Sequence, residues 1–483
     1  MLSGPITPKA LPTPARLEHD PAGLGARPLP LRRAALDWID LVLICIFLLG
    51  IYTHYTIQIS ARVPFPSAPA GVAGLIMLWR RRDQIAPGPL AGFMAVVLLY
   101  AISILCATDL NFLSRRFNGL LQLTYSLTIG YALFLTVTSA TRRQIANLCL
   151  ASALTLMIGC LLETYGGLRP LSDAVRSKLY SAGIYENDLR DTLLYGRARP
   201  KFFASEPATV TFTYSLLTCI WLVVSTWRRK LLVYLGLVGG GFVAMPGPTL
   251  LLTLLLAVPY QLFLAPRMGN EARSALKPGH ILKVACFAAI AVVGAAILAN
   301  TVFSERLSDI RRGNDASFFY RVQGPAIAAE EIVRTYPIAG SGLTGEPFIE
   351  DRVIDAYMRS PSYSAGWVIV SPATELLINY FWLHWIYLGL VWGLVMAAAI
   401  TLWLKSLEVP SALFCWSVWS LLGQGSGAYV GPTCWAVMFL AAAVAVLHER
   451  EPTTRSVRSP WHPIELFLMA QVRRLAAVRR GWV

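Results

Sequence analysis

Between Trp38 and His448 the chain is a succession of long apolar segments joined by short polar connections, and this feature limits its fold more than any other. An α-helix needs about 20 apolar residues to cross a bilayer. Such stretches recur at Trp38–Thr56, Pro66–Trp79, Pro89–Ala107, Gly119–Thr138, Ile145–Thr164 and Ala208–Trp227. Six more follow at Leu231–Met245, Thr249–Leu264, Ile281–Thr301, Pro372–Leu404, Pro410–Gln424 and Gly431–His448. The second is short and proline-containing, so it is the least span-like. The tenth exceeds one crossing, which puts its first part, Pro372 to Trp385, near the outer surface and its true crossing from Ile386. Composition agrees: 55% of the 483 residues are hydrophobic and only 14% charged, with a mean hydropathy of +0.55. Soluble domains carry roughly 25% charged residues, so a soluble enzyme and a disordered chain are both excluded. The expected fold is an all-α polytopic membrane protein with about 12 transmembrane helices.

Basic residues orient such a chain, because Lys and Arg accumulate in short cytoplasmic connections. With the amino terminus inside, Arg80-Arg81-Arg82, Arg142-Arg143, Arg228-Arg229-Lys230, Arg267 to Lys283 and Lys405 all fall on the cytoplasmic side. Residues 1–37 then form a cytoplasmic amino-terminal tail, 38–448 the transmembrane domain and 449–483 a basic cytoplasmic carboxyl-terminal tail. Within that tail, Ile464 to Trp482 reads equally as an amphipathic surface helix or a solvated basic segment. The net charge, 42 − 27 = +15, would suggest nucleic acid in a soluble chain. Here it first serves anchoring, and no nucleic-acid partner is expected. Arg115-Arg116 alone breaks the pattern. The eight cysteines all lie inside apolar runs, which indicates core residues and neither disulfides nor a metal site.

Two long loops remain outside, residues 165–207 and 302–371. Loops of that length are uncommon without a function. The spans are nearly free of ionisable residues: Asp40, His54, Glu163 and Glu375 sit near span ends and His384 close to the outer surface. That argues against an ion-coupled carrier, and it leaves a flippase or exporter of lipid-linked oligosaccharides without a charged path. Charge sits in the outer loops, where arginine dominates the cations. A guanidinium fork binds phosphate oxygens bidentately. The loops therefore suggest an anionic substrate at the outer surface, most simply a lipid phosphate or diphosphate, against the plainer reading of ordinary loop ion pairs.

Two segments concentrate this signal. In Gly196-Arg197-Ala198-Arg199-Pro200-Lys201-Phe202-Phe203-Ala204-Ser205-Glu206-Pro207, three cations alternate along an extended stretch and so share one face. Ser205 is placed to cap the next helix, and Pro207 suits its first turn. Glu206 is then either a partner of the helix dipole or a catalytic acid. The second segment is Ser317-Phe318-Phe319-Tyr320-Arg321, an amphipathic helix on to Arg334 stopped by Pro337, and the turn-forming Gly340-Ser341-Gly342. Lacking a P-loop lysine, that Gly-x-Gly makes no nucleotide loop.

The span plan from Trp38 to His448, Arg197-x-Arg199-Pro200 followed by Phe203-x-x-Glu206-Pro207 at a span entry, and Arg321 followed by Pro337-x-x-Gly340-x-Gly342 together resemble the O-antigen polymerase and ligase superfamily. Its members include Wzy-type polymerases and WaaL-type ligases. The resemblance implies a GT-C-like glycosyltransferase in the bacterial inner membrane, using undecaprenyl-diphosphate-linked glycans at the periplasmic face without metal or cofactor. It implies Arg116, Arg197, Arg199, Lys201 and Arg321 as diphosphate-binding residues, and Glu206, Arg321 and His384 as catalytic candidates. Expected partners are the lipid-linked glycans, membrane lipids, and a flippase and chain-length regulator of the same pathway. The family often has Trp four residues after the matched arginine, where this chain has Pro325. Ligases carry His-Asn where this chain has Ile378-Asn379, which favours polymerase over ligase. His384 lies one and a half turns further on, as substitute base or as a side chain packed among Trp382, Trp385 and Tyr387. Asp315 and Glu375 are further base candidates. Tyr363 and Trp367 would stack on sugar rings or anchor the loop.

Overall fold

The computed structural model describes residues 36–60, 63–180, 184–265, 304–313, 315–361, 363, 372–425 and 427–450, with scattered positions between 282 and 300. Nearly all of both expected tails, the connection from Arg267, most of Ile281–Thr301, and Trp367 lie outside these residues.

The apolar segments fold as helices: α1 (Trp38–Thr53), α2 (Ala68–Arg80), α3 (Pro87–Leu105), α4 (Leu113–Thr138) and α5 (Arg142–Tyr165). The first loop holds α6 (Arg169–Leu179) and α7 (Asp188–Tyr195). Next come α8 (Pro207–Val224), α9 (Lys230–Ala244) and α10 (Thr249–Pro259). The second loop contributes α11 (Ser304–Arg311), α12 (Gly324–Thr335) and α13 (Glu346–Met358). The chain continues with α14 (Tyr380–Ser406), α15 (Ala412–Gly423) and α16 (Pro432–Arg450). A two-stranded antiparallel hairpin, Ile57–Ser60 with Val63–Phe65, precedes α2.

Among the described residues, six helices (α3, α4, α5, α8, α14 and α16) are long and apolar enough to cross a membrane, and five shorter apolar helices accompany them. Burial sorts them. Almost every residue of α8 and α16 is enclosed by the others, so these two form the centre of the bundle. By contrast α3 leaves Met94, Leu98 and Leu105 57%, 60% and 70% exposed. Water would not tolerate an apolar face continued from helix to helix, and lipid does. The protein is an all-α membrane protein.

Close helix approach depends on small residues. A Cβ on Gly50 of α1 would lie 2.2 Å from the Ala70 nitrogen of α2. The basic clusters gather at one end of the bundle. There Arg80 and Arg81 pair with Asp40, Arg142 donates to the Val224 carbonyl at 3.1 Å, and Arg450 donates to the Thr138 carbonyl at 3.1 Å. The loop helices stand at the opposite end.

One expectation is corrected. The tenth apolar segment has no boundary at Ile386; its helix α14 starts at Tyr380 and breaks at Gly389 (φ 65°, ψ −167°). The run of turns after Tyr336 fills the break. Leu390 N–H donates to the Pro337 carbonyl at 2.8 Å, Trp392 N–H donates to the Ile338 carbonyl at 3.1 Å, and Ser341 N–H donates to the Ile386 carbonyl at 2.8 Å. Inside a bilayer, an interrupted helix is tolerated when protein satisfies the freed backbone groups, and here the second loop does so. Gly340 (φ 55°) and Gly342 (φ 76°) make the turn that the sequence suggested.

Candidate functional site

The segment between α7 and α8 is fixed from below. Glu163, at the end of α5, accepts the Lys201 N–H at 2.9 Å and also the Phe202 N–H. Phe202 and Phe203 adopt left-handed backbone (φ 35° and 66°), a conformation that costs a non-glycine residue energy and persists only when surroundings impose it. Arg176 of α6, fully buried, donates to the Ala204 carbonyl at 2.8 Å and to the Ser205 carbonyl at 3.0 Å. The cap of α8 is Glu206 and not Ser205, and the Glu206 side chain accepts no capping bond. Its carboxylate instead accepts from Arg321 Nη2 at 2.9 Å.

The three alternating cations do not share one face. Arg199 donates to Asp191 Oδ1 at 2.9 Å and Lys201 pairs with Asp188 at 2.9 Å, both beside the Tyr185 ring. After the Gly196 turn (φ 71°), Arg197 lies over the Tyr165 ring and donates to the Val243 carbonyl. Burial opposes the charge on Arg199, but Tyr195, Asp191 and Tyr185 outweigh it and hold the guanidinium above its ordinary pKa. Burial also raises the Tyr185 phenol, which keeps its proton and donates to Asp191 at 2.8 Å.

In the second loop, Asp315 caps the turn that begins at Ala316. The chain then widens into a π-helical turn, Phe319–Gln323, which carries Arg321; such turns recur at functional sites. Pro325, four residues on, has no amide hydrogen for the Arg321 carbonyl. That carbonyl accepts from Asn379 Nδ2 at 2.9 Å. Asn379 also holds Gln424 at 3.2 Å, while its own Oδ1 accepts from Phe381 N–H and Trp382 N–H and caps α14. Helix α12 ends at Thr335, before Pro337, as the sequence suggested.

These pieces enclose a cleft of about 290 Å³. Arg190 and Arg199 reach it from the first loop, Arg306 and Arg321 from the second, and Glu206 from the start of α8. Among the described residues that line it, Glu206 is the one carboxylate. The lining also holds the apolar Leu251, Leu252, Phe318 and Val322, together with Thr211, Gln424 and Tyr185. The cleft suits a molecule with an anionic head and an apolar body.

Of the residues singled out in the sequence, the structure brings Arg199, Glu206 and Arg321 together. Arg197 and Lys201 lie outside the lining, as do Arg116 and His384. Arg116 is fully buried; it donates to the Ser341 carbonyl at 2.8 Å, and Arg115 donates to the Thr344 carbonyl at 3.0 Å. The Arg115-Arg116 exception thus fastens the Gly340–Gly345 turn. His384 meets the Tyr429 hydroxyl at 2.9 Å and the Gly393 carbonyl at 3.1 Å, with Trp385, Trp416 and Trp419 around its ring. Asp315 is buried between two arginines and outside the lining, and Glu375 is exposed outside it. Tyr363 packs on Phe319. Sequence reasoning missed Arg190 and Arg306 as cleft residues; each was one arginine among many in its loop. No protein-family model matches the chain, and no curated protein sequence matches it.

Proposed function

We propose that this chain is an inner-membrane glycosyltransferase, with about 12 spans in a GT-C-like arrangement and cytoplasmic termini. It polymerises undecaprenyl-diphosphate-linked repeat units into exopolysaccharide or O-antigen at the periplasmic face. One observation carries this reading: four arginines from two loops converge with, among the described residues, one carboxylate on a cleft whose lining is otherwise largely apolar. A lipid diphosphate has that pairing of a doubly charged head with an isoprenoid chain.

In this reading the growing glycan on its lipid is the donor and a fresh lipid-linked repeat is the acceptor. An acceptor hydroxyl attacks the anomeric carbon, and the bond from that carbon to the diphosphate oxygen breaks. The leaving lipid diphosphate takes the electron pair, and Arg190, Arg199, Arg306 and Arg321 stabilise the developing charge. Preorganised cations aimed at developing charge supply the largest share of catalysis in many enzymes. When phosphate oxygens take Arg321, Glu206 is released from its ion pair beside the attacking hydroxyl and accepts its proton. A flippase and a chain-length regulator of the same pathway are the proposed partners.

The test supplies purified protein in liposomes with lipid-linked repeat units. Ladders of increasing length support polymerisation, and Arg199→Ala with Arg321→Ala abolishes them. No ladders from the unaltered protein, or ladders that persist in the double variant, would sink the proposal. In the host, loss of the chain leaves single repeats exposed outside; repeats trapped inside would indicate a flippase instead.

A further inference from the structure

Asp315 was a candidate base from sequence, but its position gives it different work. Its side chain is 2% exposed. Arg190 Nη2 of the first loop donates to Oδ1 at 3.0 Å, and Arg306 Nε of the second donates to Oδ2 at 2.6 Å. Oδ1 also accepts the Phe318 N–H at 3.1 Å and so caps the turn leading into the π-helical turn of Arg321. Arg306 reaches on to the Tyr195 hydroxyl, and the Tyr195 ring lies 5.1 Å from the Arg199 guanidinium carbon.

We infer that Asp315 is a positioning residue which sets the cationic wall of the cleft for an isoprenoid diphosphate. It orients Arg190 and Arg306 directly and Arg321 through the turn that it caps. A carboxylate with both oxygens engaged by guanidinium groups does not accept a substrate proton, so Asp315 is not the base. An arginine held by one shared carboxylate keeps further N–H donors to offer along its fork. Two forks from separate loops, pinned to one carboxylate, present those donors at a fixed spacing, which is what recognition of two linked phosphates requires. The inference rests on the proposed function for the identity of the ligand and on the geometry for the role of Asp315.

The experiment needs no turnover. Full-length protein in detergent is treated with phenylglyoxal, which modifies accessible arginines, across a titration of farnesyl diphosphate, and modification is read residue by residue by mass spectrometry. In the unaltered protein the ligand protects Arg190 and Arg321, whose side chains are 40% and 28% exposed. Asp315→Asn keeps the shape and removes the charge, and it raises the half-protecting concentration roughly tenfold or more, because charge-assisted pairs fix the forks. If Asp315→Asn fails to fold, Asp315→Glu is read in its place, since moving the charge by one methylene also shifts protection. Protection at the unaltered concentration in the folded Asp315 variant overturns the inference, as does no protection in the unaltered protein. A protein that shows protection but no ladders loses the polymerase reading and keeps the positioning role. Where ladders form, Asp315→Asn raises KM and lowers kcat together, because displaced forks lose contact both with the bound diphosphate and with the charge that develops on it.

Discussion

Glu206 and Arg321 stand 115 residues apart in the chain and meet at 2.9 Å, joining the start of a central helix to the π-helical turn of the second loop. Their side chains stay 32% and 28% exposed. An ion pair so open to water is worth about 0–1 kcal/mol, so it adds little to stability and a competing phosphate can break it. Arg321→Ala and Glu206→Gln are therefore expected to shift the unfolding free energy by less than about 1 kcal/mol. Polymer formation is expected to fall about 10²–10³-fold in each. Thermal unfolding in detergent and ladder assays check the two halves. Arg321→Lys does not restore the rate, because an ammonium lacks the fork.

His384 is the second discriminating position. Its hydrogen bonds to Tyr429 and the Gly393 carbonyl occupy both ring nitrogens, and Tyr429 in turn meets the Tyr100 hydroxyl. His384→Leu leaves a buried hydroxyl and carbonyl short of a partner, which costs about 1–3 kcal/mol. The rate per folded molecule and its pH profile are expected to stay unchanged. A loss of about 10²–10⁴ in rate at unaltered stability would mark a general base and contradict the structural role.

The apolar repeats made the helical membrane architecture legible, because span length and lipid exposure are written in local composition. Glu206-Pro207 was legible as a helix entry for the same reason, since Pro at a first turn is a local preference. Arg190 and Arg306 were not legible as partners. Which arginine of a loop turns inward depends on Asp315, a contact that spans 125 residues in the case of Arg190, and no local pattern encodes it. Arg116 shows the reverse situation. Its place in the sequence announced an anomaly, yet the explanation is the Ser341 carbonyl 225 residues away. The Gly-x-Gly turn could be read from its glycines, whereas its insertion into the broken α14 could not, because Gly389 looks like any glycine in an apolar run.

That insertion makes a prediction about backbone space. A Cβ on Gly340 would lie 2.3 Å from the Ile386 carbonyl oxygen and 2.6 Å from the Gly389 nitrogen. Both neighbours are backbone, so neither yields without opening the break in α14. Gly196 has a similar left-handed backbone (φ 71°) but no atom within 4 Å of the added carbon. Gly196→Ala is therefore expected to cost only the conformational penalty, about 1–2 kcal/mol. Gly340→Ala adds a steric clash and is expected to exceed about 4 kcal/mol. Melting temperatures of the two variants side by side check the difference, and equal melting would refute the role of the insertion.

Glu163 gives the last prediction, since it acts on the cleft without touching it. Its two oxygens accept the adjacent N–H groups of Lys201 and Phe202 and so hold the left-handed turn that separates Arg199 from Glu206. Glutamine in this place offers one acceptor and turns an NH2 group towards the other N–H donor. One buried amide is then left unsatisfied, at a cost of about 1–3 kcal/mol. The consequence should be local: faster hydrogen exchange at Lys201 and Phe202, with α8 and α16 still protected, since these helices are enclosed by the rest of the bundle. Loosening displaces Arg199 and Glu206 together, so the ladder assay should lose rate and affinity jointly. Mass-spectrometric exchange on Glu163→Gln decides it, and unchanged exchange across Lys201–Phe203 would show that Arg176, Ser172, Tyr52 and Tyr180 hold the turn without Glu163.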